Sequence, residues 1–198
     1  MSTVIVPARG PLSPWSPERF REIEAAIRRG DARLGFLYTI RHRDLHDRLL
    51  WEMVDQHNLL HDEGEKFLLS ASFATGESGY GPPPANLYLG LRSGSIAETD
   101  TLATITEVTG TGYARIAAAT NGGFALSQGP QVSGDWQAKT GNLVFTAGGT
   151  WAAATAAFLA SVSSGTSGKL LSSVALSTTR SLVNGDTLTA SMTLVMSE

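Results

Sequence analysis

Two pairs of histidines stand four residues apart, His42 with His46 and His57 with His61. On a helix that spacing puts two imidazoles on one face, which is the geometry a metal site uses. Asp44, Asp47, Asp55, Asp62 and Glu63 are close enough in sequence to add carboxylates. The zinc-hydrolase spacing is missing, however. His57 is followed by Asn58-Leu59-Leu60-His61, with no glutamate beside the first histidine. The segment is rich in charge throughout, so solvated polar positions on amphipathic helices explain the histidines more simply, and no metal ligand is assigned.

Other chemistries are equally short of parts. A serine nucleophile needs a histidine and an acid to converge on it. Residues 85–198 contain no histidine, few acids and no serine in a Gly-x-Ser-x-Gly elbow. Gly110-Thr111-Gly112 and Gly148-Gly149 lack the lysine and helix start of a phosphate loop and read as turns. With no cysteine there is no thiolate, no disulfide framework and no cysteine nucleophile. The expectation is therefore a protein that is not an enzyme, with no catalytic residue and no cofactor. Arg28, Arg29 and Arg33, with Arg41 and Arg43, make a small basic cluster. Glu22, Glu24, Asp31 and Asp44 balance it, so no nucleic-acid partner is expected. Tyr80, Trp136 and Trp151 lie at or beside turns; such aromatics stack on a sugar, fill a partner's pocket or close a core. Core or lid is favoured for Trp136 and Trp151, because aromatics carry so much buried area.

The elements that would hold these residues change character along the chain. Residues 1–84 carry ten Lys/Arg, twelve Asp/Glu and all four histidines. The longer stretch from Ala85 to Glu198 carries only five Lys/Arg and six Asp/Glu, and is dominated by Ala, Gly, Ser, Thr, Leu and Val. Gly76 to Pro84 ends in three prolines and reads as a semi-rigid spacer. The domains expected are an arm with helices over 1–75, a linker over 76–85 and an antiparallel β-sandwich over 86–198. In the first part, Ser16-Pro17-Glu18 starts a helix that Gly30 ends, with Phe20, Ile23 and Ile27 on one face. Leu34 to Ile40 leans towards an extended segment. Asp44 caps a second helix carrying Leu45, Leu49 and Met53. Asp62 with Glu65 resembles a capping box opening a third. Val4 to Ser16 reads as an arm.

In the second part the period becomes two. Leu87, Leu89 and Leu91 alternate with Tyr88, Gly90 and Arg92. Further strands are expected over 113–118, 123–127, 137–139, 143–147, 153–162, 169–176 and 187–196. Asn121-Gly122-Gly123, Ser133-Gly134-Asp135, Gly148-Gly149 and Asn184-Gly185-Asp186 supply the turns. The alanines 152–157 have helical propensity but are assigned to a strand, since glycines and serines bracket a short segment in a β context. The fold class expected is mainly β, an antiparallel sandwich of jelly-roll kind preceded by a helical segment with an extended arm.

The order Asn86-Leu87-Tyr88-Leu89-Gly90-Leu91, Gly112-Tyr113-Ala114-Arg115, Leu143-Val144-Phe145-Thr146-Ala147, Trp151, Gly168-Lys169-Leu170-Leu171 and Asn184-Gly185-Asp186-Thr187-Leu188 resembles a β-sandwich module of virion structural proteins of tailed bacteriophages. The likeness spans about residues 86–198, with His61 to Leu69 similar to the helix that leads into that module. It implies assembly rather than catalysis, and a place in the virion after assembly in the host cytoplasm. The first expectation is a capsid decoration or cement protein. Its partner would be the major capsid protein or another virion subunit, and it would be a homo-oligomer, with a trimer favoured. A tail, head-to-tail adaptor or fibre-anchoring component is the alternative, and a receptor- or carbohydrate-binding module a second. Net charge of −3 and the lack of any long apolar run point to neither nucleic acid nor membrane as a partner. Candidate contacts with the partner are Val4, Ile5, Val6, Trp15, Arg19, Arg28, Arg29, Arg41 and Arg43.

Overall fold

From residue 36 the apolar pattern has a period of two. Phe36, Tyr38, Ile40 and His42 are buried, while Leu37, Thr39, Arg41 and Arg43 between them are partly exposed. That pattern suits a strand with one face on a core, and β1 (Gly35–Arg43) is such a strand. The computed structural model describes residues 35–72, 84–119, 124–128 and 136–195. Among them the further elements are β2 (Leu49–His57), β3 (Leu59–Leu60), α1 (Asp62–Ser72), β4 (Asn86–Ser93), β5 (Thr106–Glu107), β6 (Ile116–Ala119), β7 (Phe124–Gln128), β8 (Trp136–Thr140), β9 (Leu143–Thr146), β10 (Ala154–Ala160), β11 (Leu170–Arg180) and β12 (Thr187–Val195).

The described strands form two six-stranded sheets, and every pairing is antiparallel. The first runs β2-β1-β12-β8-β7, with β9 also on β12. β8 and β9 lie end to end along one flank of β12, interrupted at Gly141-Asn142, and the Thr140 hydroxyl accepts the Met192 N–H at 2.9 Å beside the break. The second runs β3-β11-β10-β4-β5, with β6 also on β4. One apolar cluster takes Phe36, Tyr38, Ile40, Leu188, Ala190 and Met192 from the first sheet and Leu89, Leu91, Ala157, Leu159, Leu171 and Val174 from the second. The far side of the second sheet is covered too: Phe158, Ala160 and Leu170 pack with Leu102 and Ile105 of the 94–105 loop.

This double covering explains the alanines. β10 lies between β11 and β4 and is buried on both faces, so small residues fit where the layers approach closely. Helical propensity loses to that environment.

The helix expected from Asp44 is absent, and this segment corrects the reading of the first part as helical. Leu45, Leu49 and Met53 have helical spacing, but Leu49, Trp51 and Met53 also alternate, and pairing with β1 decides for the strand. Asp44 still caps, but it caps a turn: its Oδ1 accepts the N–H groups of His46 (2.9 Å) and Arg48 (3.0 Å). Asp47 takes a φ of 62°, completing the reversal. Nor does the change of composition near 76–85 separate two folding units. β1 and β2, from before it, share a sheet with β12, from after it. The helix proposed at Ser16 to Gly30, the arm and most of the linker lie outside the described residues.

The helix expected from Asp62 is α1. Asp62, Glu63 and Glu65 crowd its first turn, where acidic groups complement the helix dipole. Glu63 ties that turn to β11, accepting from Lys169 Nζ (2.9 Å) and from the Leu170 N–H (3.1 Å). Gly64 is required there, because a Cβ would run into the Leu171 carbonyl.

Candidate functional site

The polar groups that sequence alone offered for chemistry are mostly consumed by the fold. His42 and His46 share no helical face: His42 is buried on β1 and His46 is exposed in the following turn. His57 ends β2 and is exposed, whereas His61 is fully buried ahead of α1. No group of three or more His, Asp or Glu among the described residues is placed to hold a metal. His42 Nε2 lies 3.1 Å from Asp186 Oδ2, and Asp186 also accepts the Val183 N–H at 3.1 Å. The pair fastens the Asn184-Gly185-Asp186 turn to β1.

Sequence reasoning missed a second contact, because nothing local announces it. Ser173 Oγ lies 2.8 Å from His61 Nε2, and His61 Nδ1 is 3.2 Å from the Glu98 carbonyl. A carbonyl only accepts, so the Nδ1 carries the proton and the Nε2 takes one from Ser173. Nucleophile and base have this geometry, and both residues are fully buried. What the contact does is hold the start of α1 and the 94–105 loop on β11. Burial holds the His61 pKa below its ordinary value, against opposing help from the backbone bonds and Asp100.

Two buried arginines complete the packing of the loops. Arg92 donates to Asp100 Oδ2 (2.7 Å) and the Ser95 carbonyl (2.6 Å). Arg115 donates to both oxygens of Glu107 (3.0 and 2.8 Å) and to the carbonyls of Val162 and Gly165, and its guanidinium stands 5.2 Å from the Phe158 ring centroid. Tyr113 Oη lies 2.7 Å from Glu107 Oε1 and accepts the Leu91 N–H at 2.8 Å. Tyr113 stacks on Phe145, and Trp151 meets both edge-on. Trp151 is 2% exposed and donates to the Thr111 carbonyl, as the core assignment expected. The side chain of Trp136 and the whole of Tyr80 lie outside the described residues.

Exposed apolar side chains remain along β2 and in the turns beside it. Eight large apolar side chains are exposed among the described residues, and five of them are Leu45, Leu49, Leu50, Val54 and Val183. Leu49, Leu50 and Val54 belong to β2, an edge strand. Leu45 leads the turn into it and packs over Gly185, where a Cβ would come within 2.8 Å of Leu45 Cβ. Val183 lies two residues before Gly185. Arg41 and Arg43, two of the expected contact residues, stand on β1. Each is engaged, Arg41 with Glu52 at 2.6 Å and Arg43 with the Asp47 carbonyl at 2.7 Å. Val4, Ile5, Val6, Trp15, Arg19, Arg28 and Arg29 lie outside the described residues.

The register between β10 and β11 slips between Ala154 and Ala156, which face Arg180 and Ala175. Trp51 Nε1 donates to Ser177 Oγ at 3.2 Å, and Arg180 stands 5.2 Å from the Trp51 ring centroid.

Comparison with known proteins gives one family. Residues 70–196 match the family described as Gp80: Podophage GP4 fiber I protein gp80. No curated protein matches the chain. The match takes in β4 through β12, and β1 and β2 precede it.

Proposed function

The chain belongs to the podophage GP4 fiber I protein gp80 family, and from that premise we propose that it is a tail-associated structural component of a tailed-phage particle, at or beside a fibre. The single observation that carries this reading is the family match over residues 70–196. It favours the fibre alternative over the capsid cement that the first expectation put ahead.

The fold supports an assembly role. Its two antiparallel sheets face each other across one core, which we read as a β-sandwich of jelly-roll kind. Its buried histidines, arginines and serines are spent on holding loops in place. No helix among the described residues is long and apolar enough to cross a membrane. The partners are other virion subunits, and the work is docking rather than catalysis. The carbohydrate-binding reading loses Trp151, which is buried under Tyr113 and Phe145.

The test is a reconstruction of the particle that carries this chain, with an antibody fragment against β2 as a marker. Density at the tail or a fibre supports the proposal. A regular array across the shell would return the cement reading, and absence from purified particles would end the structural one.

A further inference from the structure

We propose that His61 is the latch of the 94–105 loop, and that protonating its ring releases the loop and uncovers the outer face of the second sheet while the sandwich itself stays folded. This inference does not depend on where on the particle the chain sits.

The loop is a closed excursion with few apolar holds. Its ends are pinned where Ser93, closing β4, pairs with Thr106, opening β5. Leu102 is the one buried side chain within it. It packs with Phe158, Ala160 and Leu170 in a small cluster apart from the main core. Polar groups do the rest. The Glu98 carbonyl takes His61 Nδ1 and the Asp62 N–H, both at 3.2 Å. Asp100 takes Arg92 at 2.7 Å and the Ala97 N–H at 3.0 Å, and the Gly94 carbonyl takes the Thr155 hydroxyl at 2.7 Å.

His61 is anchored to the sheet independently of the loop. Its N–H donates to the Leu171 carbonyl at 3.0 Å, and its own carbonyl accepts the Glu65 N–H at 2.9 Å. Glu63 and Gly64, next along α1, are seated on β11. When the contact with Glu98 fails, the loop is therefore the part that leaves.

Acid makes it fail. The neutral ring accepts from Ser173 and donates to Glu98. Once protonated, it needs the Ser173 hydroxyl to turn round and accept, and the serine's own proton must find another acceptor at a fully buried site. The new charge also joins buried Arg92, so that two cations share the Asp100 carboxylate. Arg92 opposes the charge and Asp100 favours it. The other charged groups on the elements around His61 are Glu98 in the loop, Asp62, Glu63, Glu65 and Lys66 on α1, Lys169 leading into β11 and Arg180 at its far end. β3 carries none, and Glu63 pairs with Lys169 at 2.9 Å. Opening lets water solvate the imidazolium, so the open form takes the proton more readily than the closed one. The latch holds fully above about pH 7 and loosens as pH falls through about 6.5.

The experiment is hydrogen exchange on the full chain between pH 7.5 and 5, read by mass spectrometry and corrected for intrinsic rate. The opening equilibrium of the loop is expected to rise by up to about thirtyfold across that range, the ratio for a histidine of ordinary pKa in the open form. Amides of β1 and β12 stay protected. In His61→Gln, whose amide keeps a donor and an acceptor but takes no charge, loop exchange loses its pH dependence. An NMR titration of the native chain gives a reading that no substitution can spoil: the His61 ring and the loop amides shift at one midpoint. Four results would each overturn the proposal: corrected loop exchange equal at both pH values, a loop that opens only together with β1 and β12, a response that survives in His61→Gln, or a His61 titration that the loop ignores.

Discussion

The ring of Phe158 lies across Gly90 on the neighbouring strand, occupying the space where any other residue would carry its Cβ. The two are direct partners in the β4–β10 ladder. The glycine is thus a packing requirement, and the guanidinium of Arg115 stands 5.2 Å from the Phe158 ring centroid.

Replacing Gly90 by alanine should therefore cost stability despite the gain in strand propensity. Overpacking of this kind costs about 1–3 kcal/mol. Gly141, which has open space around its missing Cβ and no positive φ, is the control. Urea midpoints should fall for Gly90→Ala and stay nearly unchanged for Gly141→Ala; equal midpoints would mean that Phe158 moves aside freely.

Arg115→Met should be among the most damaging substitutions in the second sheet. It leaves Glu107 beside Tyr113 without its counter-charge and frees the carbonyls of Val162 and Gly165. Breaking a buried pair from one side costs about 3–5 kcal/mol, with Glu107's partial exposure pulling the figure to the lower end. The double variant Arg115→Met/Glu107→Gln should recover part of the loss. Denaturant unfolding of the four proteins in the cycle measures the coupling, and simple additivity would deny it.

Tyr38 Oη and Ser172 Oγ bond at 2.7 Å in the core between the sheets, and burial pushes the Tyr38 pKa up. Tyr38→Phe leaves one hydroxyl unpartnered and should cost about 1–3 kcal/mol. Adding Ser172→Ala removes the orphan, so the pair of changes should be milder than the sum. A calorimetric cycle reads this directly.

His61 makes stability depend on pH in one direction. Its folded pKa is held below the ordinary value by burial, so the unfolded chain binds the proton first as pH falls. The native state should be unaffected above about pH 7 and lose stability as pH drops through about 6.5. The loss levels off once pH passes the folded pKa. Asp100, held below the usual carboxylate range by the Ala97 N–H and Arg92 against the pull of desolvation, does not titrate in that window. Melting temperatures between pH 7.5 and 5 should decline for the native chain and flatten in His61→Gln; a slope that survives the substitution belongs to another group.

Much of the second half was legible because its signals are local. Leu87, Leu89 and Leu91 alternate over a glycine, and Asn184-Gly185-Asp186 is turn chemistry with Gly185 at a φ of 89°. The Leu45-Leu49-Met53 segment was misread because its residues satisfy two periods at once, and the deciding term was pairing with Gly35–Arg43. Of the residues named as partner contacts, only Arg41 and Arg43 fall among the described ones, and each is held within its own chain, by Glu52 and by the Asp47 carbonyl. Leu45, Leu49 and Val183 look like core residues in sequence, yet all three are exposed. Ser173 with His61 is 112 residues apart and has no local signal at all.

β12 is hydrogen-bonded on both flanks, to β1 on one side and to β8 and β9 on the other. Gly35 therefore waits for Val195 before its strand has that neighbour. During synthesis, β1 and β2 emerge early and stay half-partnered until residues 187–195 have left the ribosome, whereas most pairings of the second sheet are available sooner. Closing so long a loop is slow, and the unpaired strands are open to the wrong neighbour in the meantime. A chain stalled or cleaved before Thr187 would lack the strand at the centre of its first sheet, leaving β1 with β2 as its neighbour and β8 and β9 without theirs.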